Sequence, residues 1–402
     1  MKEQKTGNNK YLREMNQSII LDLIRNNEGM SRKALADKTG LSATASGAIV
    51  KALLSDEFIQ ETGEGESSGG RKPVILELKP DSYFAFGFDI DVKFIYTVVL
   101  DITGRIVYKN KRVNSGHFTP EEAVRWIGEA FDGALKKLGI ATERILGAGI
   151  SIPGMVNIHS RRIMLAPNLG WSDTDILTPL ARRLGVVVYL DNEAMCSALC
   201  ENWLGQCQGV DDFICINVDT GIGAGLFIRG KMYRGFSGTA GEVGHISVNE
   251  SGPRCKCGNR GCLETIASVN AMVAMDKNPG SKANEDLMLY SNDFFETEED
   301  FIRFLEKARG GETSSLDILR LSAFSMGKAI ATLINTFNPQ KIVLGKKFPQ
   351  FADLVIRDIR KTADTMALAY PAGQTDIVAS SFGEDSSALG AAIIPVRKLF
   401  GR

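Results

Sequence analysis

The sequence predicts an α/β protein: a winged helix-turn-helix over residues 1–80, followed by two strand-rich α/β units over 81–191 and 192–402. Three observations lead there. Two short helix patterns joined by Thr39-Gly40-Leu41-Ser42 precede two strand patterns with a polar tip. Beyond residue 80, alternating apolar runs of strand length are interleaved with longer helical patterns. And Cys255, Cys257 and Cys262, three of the chain's seven cysteines, fall within eight residues, with His245 ten positions upstream.

Asn16 is a cap candidate for a first helix with Ile19, Ile20, Leu23 and Ile24 apolar, stopped at Asn27-Glu28-Gly29. Ser31 caps a second helix, Arg32 to Lys38. Ser42 caps a third, Ala43 to Ser55, carrying Ile49, Leu53 and Leu54. Phe58 to Glu61 and Val74 to Leu78 then form a hairpin whose tip ends in Gly69-Gly70-Arg71-Lys72-Pro73, the shape of a wing. This order points to DNA, with phosphate contacts from Arg32, Lys33, Ser42, Thr44 and Lys51. Ala43 and Ser46 complete the expected DNA-contact set on the third helix, but Ala43, Thr44, Ala45, Ser46 and Gly47 are small, so base reading by this helix is thin, and Gly70, Arg71 and Lys72 at the wing tip are positioned for a minor groove. Residues 1–79 hold twelve Lys/Arg and eleven Asp/Glu, so DNA binding must rest on placed groups rather than bulk charge.

In the larger part, Phe84–Asp91 and Phe94–Asp101 read as paired strands, Pro120–Leu138 as an amphipathic helix, and Leu146–Ile152 and Val186–Leu190 as buried strands. Phe213–Val218 and Ala224–Ile228 pair around a glycine turn. Ala323–Phe337 is a helix leading to the strand Lys341–Leu344, and Lys277–Lys282 and Arg309–Thr313 are surface loops. With 44% hydrophobic and 24% charged residues the composition is that of a soluble globule. No run of eighteen apolar residues argues for a membrane span, and Met1-Lys2-Glu3-Gln4-Lys5 leads into no secretion signal. Cys196, Cys200, Cys207 and Cys215 lie among apolar residues and read as buried thiols, which fits a reducing, cytoplasmic setting.

One imidazole and three thiolates make a complete tetrahedral set for zinc, with no position left for a reactive water. His245, Cys255, Cys257 and Cys262 are therefore expected to hold a structural Zn2+, with Gly258 and Gly261 letting the backbone turn between the thiolates.

The block Glu242-Val243-Gly244-His245, the cysteines, and Gly261-Cys262-Leu263-Glu264 resemble the ROK family of repressors and sugar kinases, as does the glycine loop Asp219-Thr220-Gly221-Ile222-Gly223-Ala224-Gly225. The segment Asn16–Leu41 and Ser68–Pro73 resemble the DNA-binding part of its repressor branch. Asp191-Asn192-Glu193-Ala194 and Asn335–Gln340 resemble the xylose-responsive members of that branch. The resemblance implies a two-lobed, actin-like (ribonuclease H-like) sugar-binding body, its last helix returning to the first lobe. It also implies a pocket lined by Gly154, Asn168, Asn192, Glu193, Glu242, His245 and Glu264, with His245 serving both metal and sugar.

Against that resemblance, three phosphotransfer elements depart from the kinase pattern. The phosphate loop after the first strand reads Asp89-Ile90-Asp91-Val92-Lys93, without its glycines. The later glycine run reads Gly345-Lys346-Lys347. The Asp expected as base after Asn192 is Glu193. The expectation is a regulator rather than an enzyme: a repressor that binds operator DNA as a dimer or dimer of dimers, with affinity set by a monosaccharide such as xylose. The alternatives are an ATP-dependent sugar kinase with a regulatory head and a repressor titrated by a protein such as a sugar-transport component.

Overall fold

The structure is a computed structural model and describes residues 9–27, 29–64, 72–114, 118–278 and 297–401. The head opens with α1 (Asn9–Arg25), followed by β1 (Met30–Ser31), α2 (Arg32–Thr39), α3 (Ala43–Ser55), β2 (Ile59–Glu64) and β3 (Val74–Leu78). The Ser31 and Ser42 hydroxyls accept from the Ala34 and Ala45 amides and cap α2 and α3 as expected. β2 and β3 pair antiparallel, with β1 completing the order β1-β3-β2. The cap expected at Asn16 is a correction, since α1 begins at Asn9 and Asn16 lies within it. Tyr11, Leu12 and Met15 continue the helix although they are exposed.

The first lobe runs through β4 (Phe84–Ile90), β5 (Phe94–Asp101), β6 (Ile106–Val113), α4 (Pro120–Leu138), β7 (Ile145–Ile152), β8 (Met155–Asn157), β9 (Arg162–Ala166), β10 (Trp171–Thr174), α5 (Leu177–Leu184) and β11 (Val188–Asn192). The second continues with α6 (Glu193–Trp203), β12 (Phe213–Val218), β13 (Ile222–Ile228), β14 (Lys231–Tyr233), α7 (Glu264–Ala267), α8 (Val269–Lys277), α9 (Glu298–Arg309), α10 (Thr313–Phe337), β15 (Lys341–Lys346), α11 (Ala352–Met366), α12 (Ala369–Gln374), β16 (Asp376–Ala379) and α13 (Ser386–Leu399).

The two main sheets follow one plan. The first has the order β11-β7-β4-β5-β6 and the second β14-β13-β12-β15-β16. In each, three antiparallel strands are extended by two parallel ones. This duplicated plan is the actin-like body. α10 is ten residues longer at its start than expected, because the polar Thr313-Ser314-Ser315 opens the helix rather than extending the loop.

α13 returns to the first sheet and lies against β4, β7 and α6. Glycines make that contact possible. A Cβ at Gly149 would stand 1.9 Å from the Ala391 carbonyl oxygen, and one at Gly390 would stand 1.8 Å from that of Cys196. α13 and α6 therefore touch backbone to backbone, closer than any side chain allows.

The head shares an apolar core with the body. Ile20, Leu21 and Ile24 of α1 join Leu199 and Trp203 of α6 and Val396 of α13 in one buried cluster. The Arg25 guanidinium lies 3.5 Å from the centre of the Trp203 ring and donates to the Trp203 carbonyl at 2.9 Å. Among the described residues, no helix is long and apolar enough to cross a membrane.

Candidate functional site

The metal motif folds as a compact knuckle. Cys255 and Cys257 lie on one side of a tight turn closed by bonds from the Cys255 amide to the Asn259 carbonyl and from the Gly258 amide to the Cys255 carbonyl. Gly258 (φ 96°) and Gly261 (φ 61°) both adopt left-handed backbone. At Gly261 a Cβ would also overlap the Asn249 carbonyl oxygen at 1.5 Å, so only glycine fits. The donor atoms of His245, Cys255, Cys257 and Cys262 all lie within 4.8 Å of one another. His245 Nδ1 is 3.6 Å from Cys255 Sγ, and Cys257 Sγ is 3.6 Å from Cys262 Sγ. Zinc–sulfur bonds of about 2.3 Å at tetrahedral angles put neighbouring sulfurs about 3.8 Å apart, so the set fits a metal ion.

This knuckle forms one wall of a cavity of about 400 Å³ between the lobes. All seven residues expected at the sugar line it: Gly154 and Asn168 from the first lobe, Asn192 and Glu193 at the start of α6, and Glu242, His245 and Glu264 from the second lobe. Asn192 and Glu264 are anchored by hydrogen bonds of their own. Asn192 caps α6, its Oδ1 accepting from the Ala194 amide at 2.8 Å while its Nδ2 donates to the Gly154 carbonyl at 2.8 Å. Asn192 thus both caps α6 and lines the cavity. Glu264, two residues beyond the last cysteine, accepts from the Ile222 amide at 3.0 Å. A Cβ at Gly221 would come within 2.7 Å of that carboxylate, which explains why the glycine loop persists. His245 turns Nδ1 toward the thiolates, leaving Nε2 on the other side of the ring.

Behind the pocket lies a buried charge cluster that the sequence did not reveal as one. Lys346, 2% exposed, donates to Asp89 Oδ2 at 2.9 Å and stands 3.7 Å from Glu193 Oε2. Ser151 donates to the other Asp89 oxygen at 2.5 Å. Loss of water contact pushes Glu193 up to about 8, with Lys346 opposing and Asp89, Asp219 and Asp91 adding to the shift. The same loss of water pushes Asp91 up to about 6, Asp219 adding and Lys346 opposing. Burial works against the Lys346 charge, but Asp89, Glu193 and Asp219 outweigh it and hold the lysine charged, above its ordinary range. A second tie between the lobes, Arg234 to Asp191, is bidentate at 2.7 and 2.5 Å. Neither pair carries a sequence signal, because the partners are 257 and 43 residues apart. Thr239, Lys256 and Asn270 also line the cavity and were not singled out; Thr239 adjoins the Glu242 motif, which was the available hint.

On the head, Lys33, Ser42, Ala43, Thr44, Lys51 and Lys72 are exposed. The exposed Arg32 is paired to Glu61 at 2.7 Å. Ser46 is a correction to the DNA-contact set: it is 1% exposed, its hydroxyl turned inward without a hydrogen-bond partner. It falls on the face of α3 that carries Ile49, Val50 and Leu53 into the core. Gly70 and Arg71 lie outside the described residues.

Comparison with known proteins fits this geometry. The ROK family pattern matches residues 85–398, and a winged helix-turn-helix DNA-binding pattern matches residues 17–60. A xylose repressor from Caldicellulosiruptor bescii is 31% identical over 359 residues, 88% of each chain. Among solved structures, a ROK family transcriptional regulator homologous to the Escherichia coli MLC protein superposes with a TM-score of 0.80 at 23% identity, covering 97% of each chain. A ROK family glucokinase from Streptomyces griseus, solved with glucose and AMPPNP, gives 0.64 at 30% identity over 77% of this chain and 98% of its own. The chain belongs to the ROK family, with a winged helix-turn-helix head in front of an actin-like body.

Proposed function

We propose that this protein is a sugar-responsive transcriptional repressor. Its head binds operator DNA, two copies acting together, and a monosaccharide in the interlobe cavity sets the affinity. The observation that carries this reading is continuity. α6, eleven residues long, begins in the cavity wall at Glu193 and ends at Trp203 against the head's Arg25. At 1.5 Å per residue this is a rod of about 16 Å joining effector site to DNA head. Relatives named as xylose repressors support a pentose, with xylose first among candidates. The four-ligand metal is zinc and structural, since it uses only protein donors and braces the wall that carries His245 and Glu264. The division into a head over 1–80 and lobes over 81–191 and 192–402, and a cytoplasmic setting, belong to the same proposal.

DNA contacts are assigned to Lys33, Ser42, Thr44 and Lys51 on the exposed face of α2 and α3, with Ala43 close to the backbone and Arg32, Gly70, Arg71 and Lys72 completing the set. Absence of kinase activity is part of the reading. Asp91 places a carboxylate at the phosphate loop, and Glu193 stands where the kinase pattern has Asp, its extra methylene displacing the carboxylate by about 1 Å. The glucokinase likeness favours the alternative, a working kinase with a regulatory head. Fluorescence anisotropy of native upstream DNA titrated with the protein and a panel of pentoses and hexoses, alongside an ATP-consumption assay, separates them. The repressor reading expects one sugar to shift DNA affinity with no ADP produced. Sustained ADP release with a sugar, or indifference of DNA binding to every sugar, overturns it.

A further inference from the structure

Lys346 is the last residue of β15 in the second lobe, and its backbone is left-handed at φ 57°. That conformation is unfavourable for any residue with a Cβ and persists only where surrounding structure enforces it. Here it directs the ammonium out of the second lobe and into a space enclosed by carboxylates. Asp89, on β4 of the first lobe, takes the ammonium at 2.9 Å, and both its own oxygens are used, the second by Ser151 at 2.5 Å. Glu193, in the wall of the effector cavity, lies 3.7 Å from the same nitrogen. The ammonium and Asp89 are each 2% exposed, so neither pairs with water when the contact breaks. A single buried cation thus touches the first lobe, the second lobe and the cavity wall.

We infer that Lys346 is a positioning residue for the effector response: it holds the Glu193 carboxyl against the cavity and couples that contact to the arrangement of the two lobes through Asp89. A sugar hydroxyl that engages Glu193 draws it from or toward the ammonium. Because the ammonium cannot leave Asp89 without stranding a buried charge, the change at the cavity is passed to the lobe contact. The inference rests on the reading of the cavity as an effector site, and its test separates the two.

The test uses full-length wild type, Lys346→Met, Asp89→Asn and the double variant, with D-xylose and operator DNA as probes. The double variant removes both charges, leaving neither buried and unpaired, so it folds where a single variant fails. In sugar-free protein, hydrogen exchange at residues 89–93 and 219–223 is expected to quicken about tenfold in Lys346→Met. The roughly tenfold change in DNA affinity expected of an effector should fall below about twofold in each variant, the double losing no more than the singles because they share one interaction. A wild-type sugar response in Lys346→Met or the double variant overturns the inference, as does unchanged exchange in both. If wild type itself ignores xylose and every other sugar tried, the effector reading fails, and the exchange arm alone decides whether Lys346 joins the lobes.

Discussion

The joint between Arg25 and Trp203 gives the sharpest prediction, Arg25→Ala. Across the joint the guanidinium donates to the Trp203 carbonyl at 2.9 Å and stacks 3.5 Å from the ring centre, while within the head it also donates to Asn26 at 3.3 Å. A hydrogen bond to a charged group contributes about 1.5 kcal/mol at the low end suited to a half-buried site, and a partly exposed cation–π contact about 0.5 kcal/mol. Together they stabilise the docked head by about 2 kcal/mol, close to a 30-fold change in the docking equilibrium. Typical effector coupling is of about the same size, 1–3 kcal/mol, so most of the sugar response should disappear. Apolar contacts of Ile20, Leu21 and Ile24 remain, so the head stays folded. Operator affinity with and without sugar, measured by anisotropy, reads the coupling, and hydrogen exchange of α1 reads the docking. Faster exchange in α1 together with an undiminished sugar response would refute the idea that the signal passes through this joint.

Three further outcomes follow from the geometry. Metal analysis should find one zinc per chain, and Cys262→Ser should lose it and weaken sugar binding at least about tenfold, because Glu264 is held two residues away; a zinc-free variant with intact sugar affinity contradicts the bracing role. Glu193 has a raised pKa, so its contribution to folding is full below its ordinary 4.5 and is lost as pH rises through about 8. Melting temperature should therefore decline from pH 6 to pH 9, and less steeply in Glu193→Gln, which keeps a neutral side chain throughout; parallel curves for the two proteins would count against the shift. Gly390→Ala forces a Cβ to 1.8 Å from the Cys196 carbonyl oxygen and should cost about 3 kcal/mol in urea unfolding, since the nearest atoms it meets are all Cys196 backbone; a loss below about 1 kcal/mol would mean that α13 and α6 can separate freely.

Local chemistry was legible wherever it repeats at short spacing. The Ser31 and Ser42 caps, the strand Phe94–Asp101 and the helix Pro120–Leu138 follow from capping oxygens and apolar period alone. The His245–Cys262 knuckle was legible because its ligands sit within eighteen residues of one another. Less was visible where the helix period and its caps do not coincide with the core, as in the exposed first turns of α1, or where packing chooses the face, as in α3. α1 starts at Asn9 rather than at its apparent cap Asn16, and Ser46 is turned inward because Ile49, Val50 and Leu53 determine which face of α3 meets the core.

By itself, the chain's order of residues determined the head, the metal knuckle and the succession of strands that builds two sheets, since each depends on neighbours a few positions apart. Only the tertiary structure decided that Lys346 meets Asp89 across 257 residues, that Arg234 grips Asp191, and that α6 runs from the cavity to Trp203 beneath Arg25. Contacts of that kind arise when two lobes and a head pack together, and side-chain spacing along the chain carries no record of them.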